Sequence, residues 1–531
     1  MRNRDAEKVD STSRNSSAVS DRRCLQRVRR VDSPEPGGAH QKNGRAGDKT
    51  IGSNYWSAFA LSVPSLTPTL LTTTTMTRLT PYLMRVLKTQ SSRSSTSLFH
   101  TRQTEIPPVA SSLKSSSSSC FSTSALPKEK HAQTTSPPIV GSPVTGQDLM
   151  TGEILAGADI DPSALEVELT SSPKTIPPSN QLQFGRTFTD HMLTIPWNVQ
   201  SGWGTPKIVP YAPLQLDPSS TVLHYAPTLF EGMKAYKDEK GQVRLFRPDK
   251  NMERMTRSAA RLAFPDFTGD HLTTLIKKLV DVDSKWVPSE QGTSLYIRPT
   301  MIGTQAGLGV GASTDVLLFV IACPVGPYYS TGFKPVKLLA TAKDVRAWPG
   351  GTGGYKLGSN YAAGVVPQQA AAALGYQQIL WLYGPEHQLT EVGTMNLFVV
   401  LSHPDGTTEL VTPPLEDMIL PGVTRDSVLA LARAHEKGEA KLEGLPDKFK
   451  VSERNLTMPQ LRQASKDGSL KEVFGSGTAA IVSPVSGIGY ESELIDVPHG
   501  EDGLGDVARV MLREIVGRQT GRIESEWSVV I

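Results

Sequence analysis

The chain changes character near residue 180, and that break limits what it can fold into. Residues 1 to about 170 are rich in Ser, Thr, Pro and Arg, with a serine run ending in SSSSSCFSTSAL; beyond them, apolar runs alternate with Gly and Pro. Residues 1–48 mix Arg and Asp/Glu with Ser, Pro and Gly, a composition too poor in apolar surface to build a core. Between Lys49 and Thr104 no Asp or Glu occurs, while Arg78, Arg85, Lys88, Arg93 and Arg102 do. Arginine- and serine-rich, acid-poor sequence fits a mitochondrial presequence. MTRLTPYLMRVLKTQSSRSSTSLFHTR, from Met76, would make a complete one with an amphipathic opening. Translation is therefore expected to start at Met76 or Met84, and a cleaved leader to direct the protein to the matrix.

At 531 residues, with a net charge of +3 and 38% hydrophobic residues, the chain has room for two or three domains. Its basic residues form no compact stripe interleaved with aromatics, which argues against a nucleic-acid partner. Of the three cysteines, Cys24, Cys120 and Cys323, only the last lies in the globular part. A disulfide framework and a cysteine-based zinc site are excluded there, no metal is expected, and a reducing compartment fits. A membrane partner is not expected either. The best apolar run, WSAFALSVPSL, is broken by Pro64 and far short of the roughly 18–20 residues that span a bilayer.

From about Asn180 the texture is globular. HMLTIPWN, QVRLF, TSLYIRPTMIG and VLLFVIACPVG read as strands, and NMERMTRSAARLAF has apolar residues at helical spacing. After a linker-like GPYYSTGFKPVK come the short strands VKLLATA, QQILWLYG, NLFVVLS, ELVTPP and AAIVSPV, with helices expected near 361–375, 423–436 and 505–518. The expected organisation is α+β. It comprises a disordered extension over 1–75, a presequence over 76–130 and a low-complexity linker over 131–179. A small α/β domain over 180–323, an interdomain loop over 324–335 and a larger domain over 336–531 follow.

Within the larger part, GGTGGYKLGSNYAA sets Lys356 among five glycines. A lone lysine is usually solvated. Here the glycines let the backbone take positive φ and let a ligand come close, the setting of a covalently acting amine. The P-loop pattern fails, because Tyr355 precedes the lysine and Leu357 follows it. LTEVGTMNLFVV places Glu391 and Thr394 before an apolar strand, and LPGVTRDSVLALARA opens a helix at Val423 and Thr424, whose free N–H groups suit a phosphate. FGSGTAAIVSPV adds a small-residue turn with Thr478, and Arg254 is a candidate phosphate fork. Each signal is weak alone. Together they supply a lysine for an aldehyde, a carboxylate for a ring nitrogen and donors for a phosphate, the inventory for pyridoxal 5′-phosphate.

LFEGMKAY, VRLFRPDKNMERM, SLYIRPTMIG, YKLGSNY, LWLYGPEHQLTEVGTMNLF, TPPLEDMILPGVTR and VFGSGTA occur in this order. Over residues 180–531 the chain thereby resembles branched-chain amino acid aminotransferases, pyridoxal-phosphate enzymes of fold-type IV. The resemblance implies a two-domain fold, with a smaller N-terminal α/β domain and a larger C-terminal domain around a barrel-like core. It implies reversible amino transfer from leucine, isoleucine or valine to 2-oxoglutarate by ping-pong chemistry. Lys356 would be the aldimine-forming lysine, Tyr361 would bond the ring oxygen and Glu391 would pair with the ring nitrogen. Arg254, Val423, Thr424 and Thr478 would hold the phosphate. Tyr225, Phe230, Tyr296, Tyr328 and Thr394 match the side-chain pocket, while Tyr225 and the Thr478–Ala479 turn lie near the α-carboxylate position. Arg298 matches an arginine for the distal carboxylate of glutamate. Leu308 and Val310 match a loop that completes the neighbouring subunit's site, which implies a homodimer.

Two departures stand out. A CxxC pair of mammalian relatives is replaced by Ala480 and Ser483, so no thiol switch is expected there, and Pro367 would kink or delay the helix after Tyr361. D-amino acid aminotransferases and aminodeoxychorismate lyases share the lysine and glutamate but not the long FEGMKAY and LTEVGTMNLF stretches. A catalytically dead homologue would have no reason to keep Lys356, Glu391, Arg254 and Thr478 together.

Overall fold

The first of two large sheets is built around its longest strands, Ser294–Gly303 and Asp315–Val325, which run antiparallel with Tyr296 opposite Cys323 and Arg298 opposite Ile321. The computed structural model of the chain describes residues 146–147, 154–155, 157–326 and 334–531. The extension over 1–75 and the presequence over 76–130 lie outside the described residues. On one side of the long pair come Met233–Lys237 and Val243–Phe246, on the other His191–Asn198 and Lys207–Pro210. Alternation along Ser294–Gly303 sends Leu295, Ile297 and Met301 into the core and leaves Arg298 and Thr300 half-buried. Helices Pro248–Arg261 and Gly269–Val282 cover the apolar face with Met252, Met255, Leu272, Leu275, Ile276 and Leu279. Gly269–Val282 goes beyond the elements expected from sequence, although HLTTLIKKLVDV repeats its apolar residues at helical spacing.

The linker expected over 131–179 ends earlier than expected. Ile160 is 1% exposed in the core of the first sheet, Ala158 bridges Gly202, and Glu166–Val167 pairs with Lys207–Pro210. A single buried isoleucine and a few backbone pairings suffice to anchor a segment whose Ser/Pro content reads as uncommitted.

The second sheet closes on itself. Gln388–Val392, Gln378–Tyr383, Val336–Thr341, Ile481–Tyr490, Leu470–Gly477 and Met395–Ser402 follow one another, and the last pairs back to the first through Glu391 opposite Asn396 and Val392 opposite Met395. These six strands form a barrel whose walls, Val336–Thr341 apart, are mostly buried on both sides. Along Met395–Ser402, Leu397, Val399 and Leu401 enter one core and Phe398 and Val400 another. Helices Val423–Glu436 and Asp506–Gln519 join the second of these cores. Val336–Thr341 and Gln378–Tyr383 are parallel, so the chain between them is a crossover, and the Lys356 loop lies in it.

The helix expected over 361–375 is two pieces, Ser359–Ala362 and Val365–Ala373. Pro367 falls in the first turn of the second, where its missing N–H has no intrahelical partner to lose. The chain ends by returning to the first sheet, where Ser528–Val530 pairs with Val243–Phe246. Residues 157 onward belong to one compact unit, Lys128–Ile531. Among the described residues, no helix is long and apolar enough to cross a membrane.

Candidate active site

The Lys356 loop is docked on the first sheet by its backbone. Phe230 N–H donates to the Lys356 carbonyl at 3.1 Å, Gly358 N–H donates to the Thr228 carbonyl at 3.0 Å, and Lys356 N–H donates to Ser258 Oγ at 3.0 Å. This docking, more than ligand access, explains the glycines. A Cβ at Gly358 would sit 2.6 Å from Thr228 Cγ2, and one at Gly353 would overlap the Met418 carbonyl and Ala347. Of the five loop glycines only Gly350 has positive φ, at 77°.

With its backbone held, the Lys356 side chain has a defined position. Nζ donates to Tyr361 Oη at 3.0 Å and lies 4.9 Å from the centre of the Phe230 ring. The Phe230 and Tyr361 ring centres are 4.9 Å apart. Phe230 also carries the Arg298 guanidinium, 4.5 Å from the ring centre, and Arg298 donates to Tyr296 Oη at 3.0 Å. Lys356, Tyr361, Phe230, Tyr296 and Arg298 thus form one continuous wall.

Two buried carboxyls lie within electrostatic reach of Lys356. Glu231 is fully buried and grips Arg254 with both oxygens, at 2.7 Å to Nε and 2.8 Å to Nη2; Asn251 donates to it at 2.7 Å. Burial opposes the charge of Glu231, but the guanidinium outweighs it and holds the carboxyl below its ordinary range. Glu391, at the barrel seam, pairs with Arg346 and accepts from Leu420 N–H at 3.0 Å and from Asn396 Nδ2 at 3.2 Å. Burial dominates there, and its proton affinity is raised despite Arg346.

One short loop ties these groups together. Leu420 N–H meets Glu391, the Pro421 carbonyl accepts from Arg254 Nη1 at 3.1 Å, and Gly422 is the N-cap of Val423–Glu436. No side chain caps that helix, so the N–H groups of Val423 and Thr424 keep their donor capacity. A small cavity gathers Gly232, Lys234, Asn251, Val423, Thr424 and Thr478. Arg254 is not the open fork expected from sequence, since Nε and one Nη2 proton serve Glu231.

A family model for class IV amino-transferases matches residues 228–488. The mitochondrial branched-chain-amino-acid aminotransferase of Saccharomyces cerevisiae is 51% identical over 382 residues, 71% of this chain and 95% of that protein. The cytosolic enzyme of the same yeast is 51% identical over 378 residues, 70% of this chain and 98% of that protein. The chain belongs to the branched-chain-amino-acid aminotransferase family. A structure of the Thermobaculum terrenum branched-chain amino acid aminotransferase in its PLP-form shares the fold. Its TM-score is 0.50 at 20% identity, over 64% of this chain and 98% of that one.

Not every expected residue of this aminotransferase joins the Lys356 wall. Tyr225 is 46% exposed and donates to the Leu308 carbonyl at 2.5 Å, so it belongs with Leu308 and Val310, 63% and 83% exposed, on an apolar outer patch. Thr394 is exposed at the hairpin tip beside the barrel seam, and Ala479 is exposed on its turn. Tyr328 lies outside the described residues. Conversely, Glu231, Asn251, Ser258, Arg346 and Asn396 organise the site and were not singled out from sequence. The signal for Glu231 is a carboxylate inside the otherwise apolar strand text LFEGM. The partnership of Arg346 with Glu391 spans 45 residues of chain and left no local trace.

Proposed function

We propose that this chain transfers the amino group of leucine, isoleucine or valine to 2-oxoglutarate, with pyridoxal 5′-phosphate held at Lys356. The observation that carries the reading is Lys356 itself, an amine fixed by Tyr361 and Phe230 in reach of two buried carboxyls. The donor set fits the cofactor: an amine for its aldehyde, Glu391 for its ring nitrogen and Tyr361 for its ring oxygen. The Val423 and Thr424 N–H groups, Thr478 and the remaining Arg254 protons suit its phosphate. When bound, the cofactor supplies an electron sink that makes the Cα proton of an amino acid removable.

The protein's part is to hold and move protons. Lys356 Nζ, once free, would take the Cα proton and deliver it to the carbon that bore the cofactor's aldehyde, and the Tyr361 hydroxyl keeps the amine oriented. Glu391, with its raised proton affinity, would hold a proton against the cofactor's ring nitrogen, and its pairing with Arg346 fixes the carboxyl. Phe230 and Tyr296 give aliphatic side chains an apolar wall, and Arg298 at its margin receives the second carboxylate of glutamate. Purified protein should show a visible absorbance band after pyridoxal phosphate is added, and Lys356→Ala should lose it. Turnover with D-alanine and none with leucine, isoleucine or valine would overturn the assignment.

The exposed patch of Leu223, Tyr225, Leu308 and Val310 supports a homodimer. Light scattering should give twice the chain mass, and Val310→Asp should shift it toward the monomer. Mitochondrial and cytosolic relatives are equally similar, so matrix targeting rests on residues 76–130. Sequencing the N-terminus of the organellar protein tests it, and a mature chain beginning at Met1 would refute it.

A further inference from the structure

Lys234 stands out among the described residues as a buried cation without a counter-ion. It lies on Met233–Lys237, is 8% exposed, and its Nζ donates to the Ala479 carbonyl at 2.8 Å. The buried charged groups on the packed elements are engaged elsewhere. On the neighbouring helix Arg254 is committed to Glu231, and Arg298 on the adjacent strand to Tyr296. On the C-terminal helix Glu514 pairs with Arg518, and on the hairpin Asp238 pairs with Arg244. The remaining titratable neighbours are Tyr296, Tyr236 and Cys323, and burial pushes the last two up, keeping them neutral.

The surroundings of the ammonium are unsaturated as well. A cavity of about 20 Å³ is lined by Lys234, Tyr236, Asn251, Thr424, Thr478 and Gln519. Tyr236 Oη and Gln519 Oε1 are buried without hydrogen-bond partners. The carbonyl that Lys234 holds belongs to a strained turn: Ile481, a β-branched residue, sits at φ 65°.

We propose that Lys234 is a positioning residue whose counter-ion is the anionic group of a ligand bound at the Thr478–Ala479 turn, a carboxylate or a phosphate, to which it contributes charge through the turn it fixes. The inference rests on the transaminase reading and deepens it. Unpaired burial is costly, and it lowers the Lys234 proton affinity to about 8. An arriving anion restores that affinity, so binding takes up a proton and weakens as the ammonium is lost at higher pH.

The test uses the full chain loaded with pyridoxal phosphate and titrated with 3-methylbutanoate, a branched carboxylate with no amine to react. Wild-type affinity is expected to fall about tenfold between pH 7 and pH 9 as Lys234 deprotonates. Lys234→Met should bind weakly at both, and Lys234→Arg, always charged, should bind at pH 9 as at pH 7. Weaker pyridoxal phosphate loading of stripped Lys234→Met protein would identify the phosphate as the anion, and unchanged loading the carboxylate. Should Lys234→Met not fold, calorimetry in two buffers at pH 8 decides. Wild type should take up about half a proton more per carboxylate bound than Lys234→Arg. Equal pH profiles in wild type and Lys234→Arg for both carboxylate binding and pyridoxal phosphate loading of stripped protein would overturn the proposal. A wild-type protein that never takes up pyridoxal phosphate would instead refute the transaminase reading.

Discussion

Glu231 and Arg254 have exchanged solvent for each other, and their value to the protein depends on both being present. Removing one partner of a buried pair leaves the other charge stranded, which costs about 3–5 kcal/mol. Glu231→Ala should therefore lower the melting temperature markedly, and it should also loosen the Pro421 carbonyl contact and weaken pyridoxal phosphate retention. Glu231→Gln, which keeps the shape and the bond to the guanidinium, should lose less of both. Thermal unfolding with and without cofactor separates the two effects. If Glu231→Ala melts like wild type, the pair is not what orders this corner. The glycines of the Lys356 loop carry a related expectation: Gly358→Ala must push against Thr228 Cγ2 at 2.6 Å, so the Lys356 backbone shifts and activity falls even where the fold survives.

Among the elements, two helix starts make opposite predictions. Thr457 caps Met458–Lys466 through a full capping box with Gln460. Thr457→Ala should cost about 1 kcal/mol of stability and leave the kinetics alone. Gly422 starts Val423–Glu436 with no side-chain cap, and a Cβ there would overlap Asn396 Oδ1. Gly422→Ala should disturb the loop shared by Glu391 and Arg254, raising the dissociation constant for pyridoxal phosphate more than it lowers the melting temperature. Equal losses in the two measurements would argue against that loop as the link. The helix starting at Val423 was legible in the sequence because its period and its Pro-Gly entry are local signals. So were most strands, as short β-branched runs between turn residues. The barrel closure was not, because pairing Glu391 with Asn396 depends on a register that no periodicity encodes. The Glu391–Arg346 and Glu231–Arg254 pairs were hidden for the same reason: Glu391 and Arg254 stand out in the sequence as site residues, but the partner each meets across the fold does not.

Across the whole molecule, acid stability should trace to a few buried carboxylates. Burial disfavours the charge of Glu409, but hydrogen bonds from Arg454, Ser452 and His403 outweigh it and hold its proton affinity down at about 2. A carboxylate depressed in the folded state stabilises fully above its unfolded value near 4.5, and that contribution is lost as the pH falls toward 2. Glu409→Gln should therefore flatten the loss of melting temperature between pH 4.5 and pH 2 while lowering stability at pH 7 by about 1–3 kcal/mol. A wild-type acid slope in the variant would assign the effect to other groups. The closing strand has a consequence of another kind. Ser528–Val530 forms the edge of a sheet whose other strands are made in the first half of the domain. That strand lies beyond every barrel strand in the sequence, so during synthesis the free edge of Val243–Phe246 stays unpaired until the barrel strands have been made. Deleting Ser528–Val530 tests the point by leaving that edge open, and should lower the melting temperature.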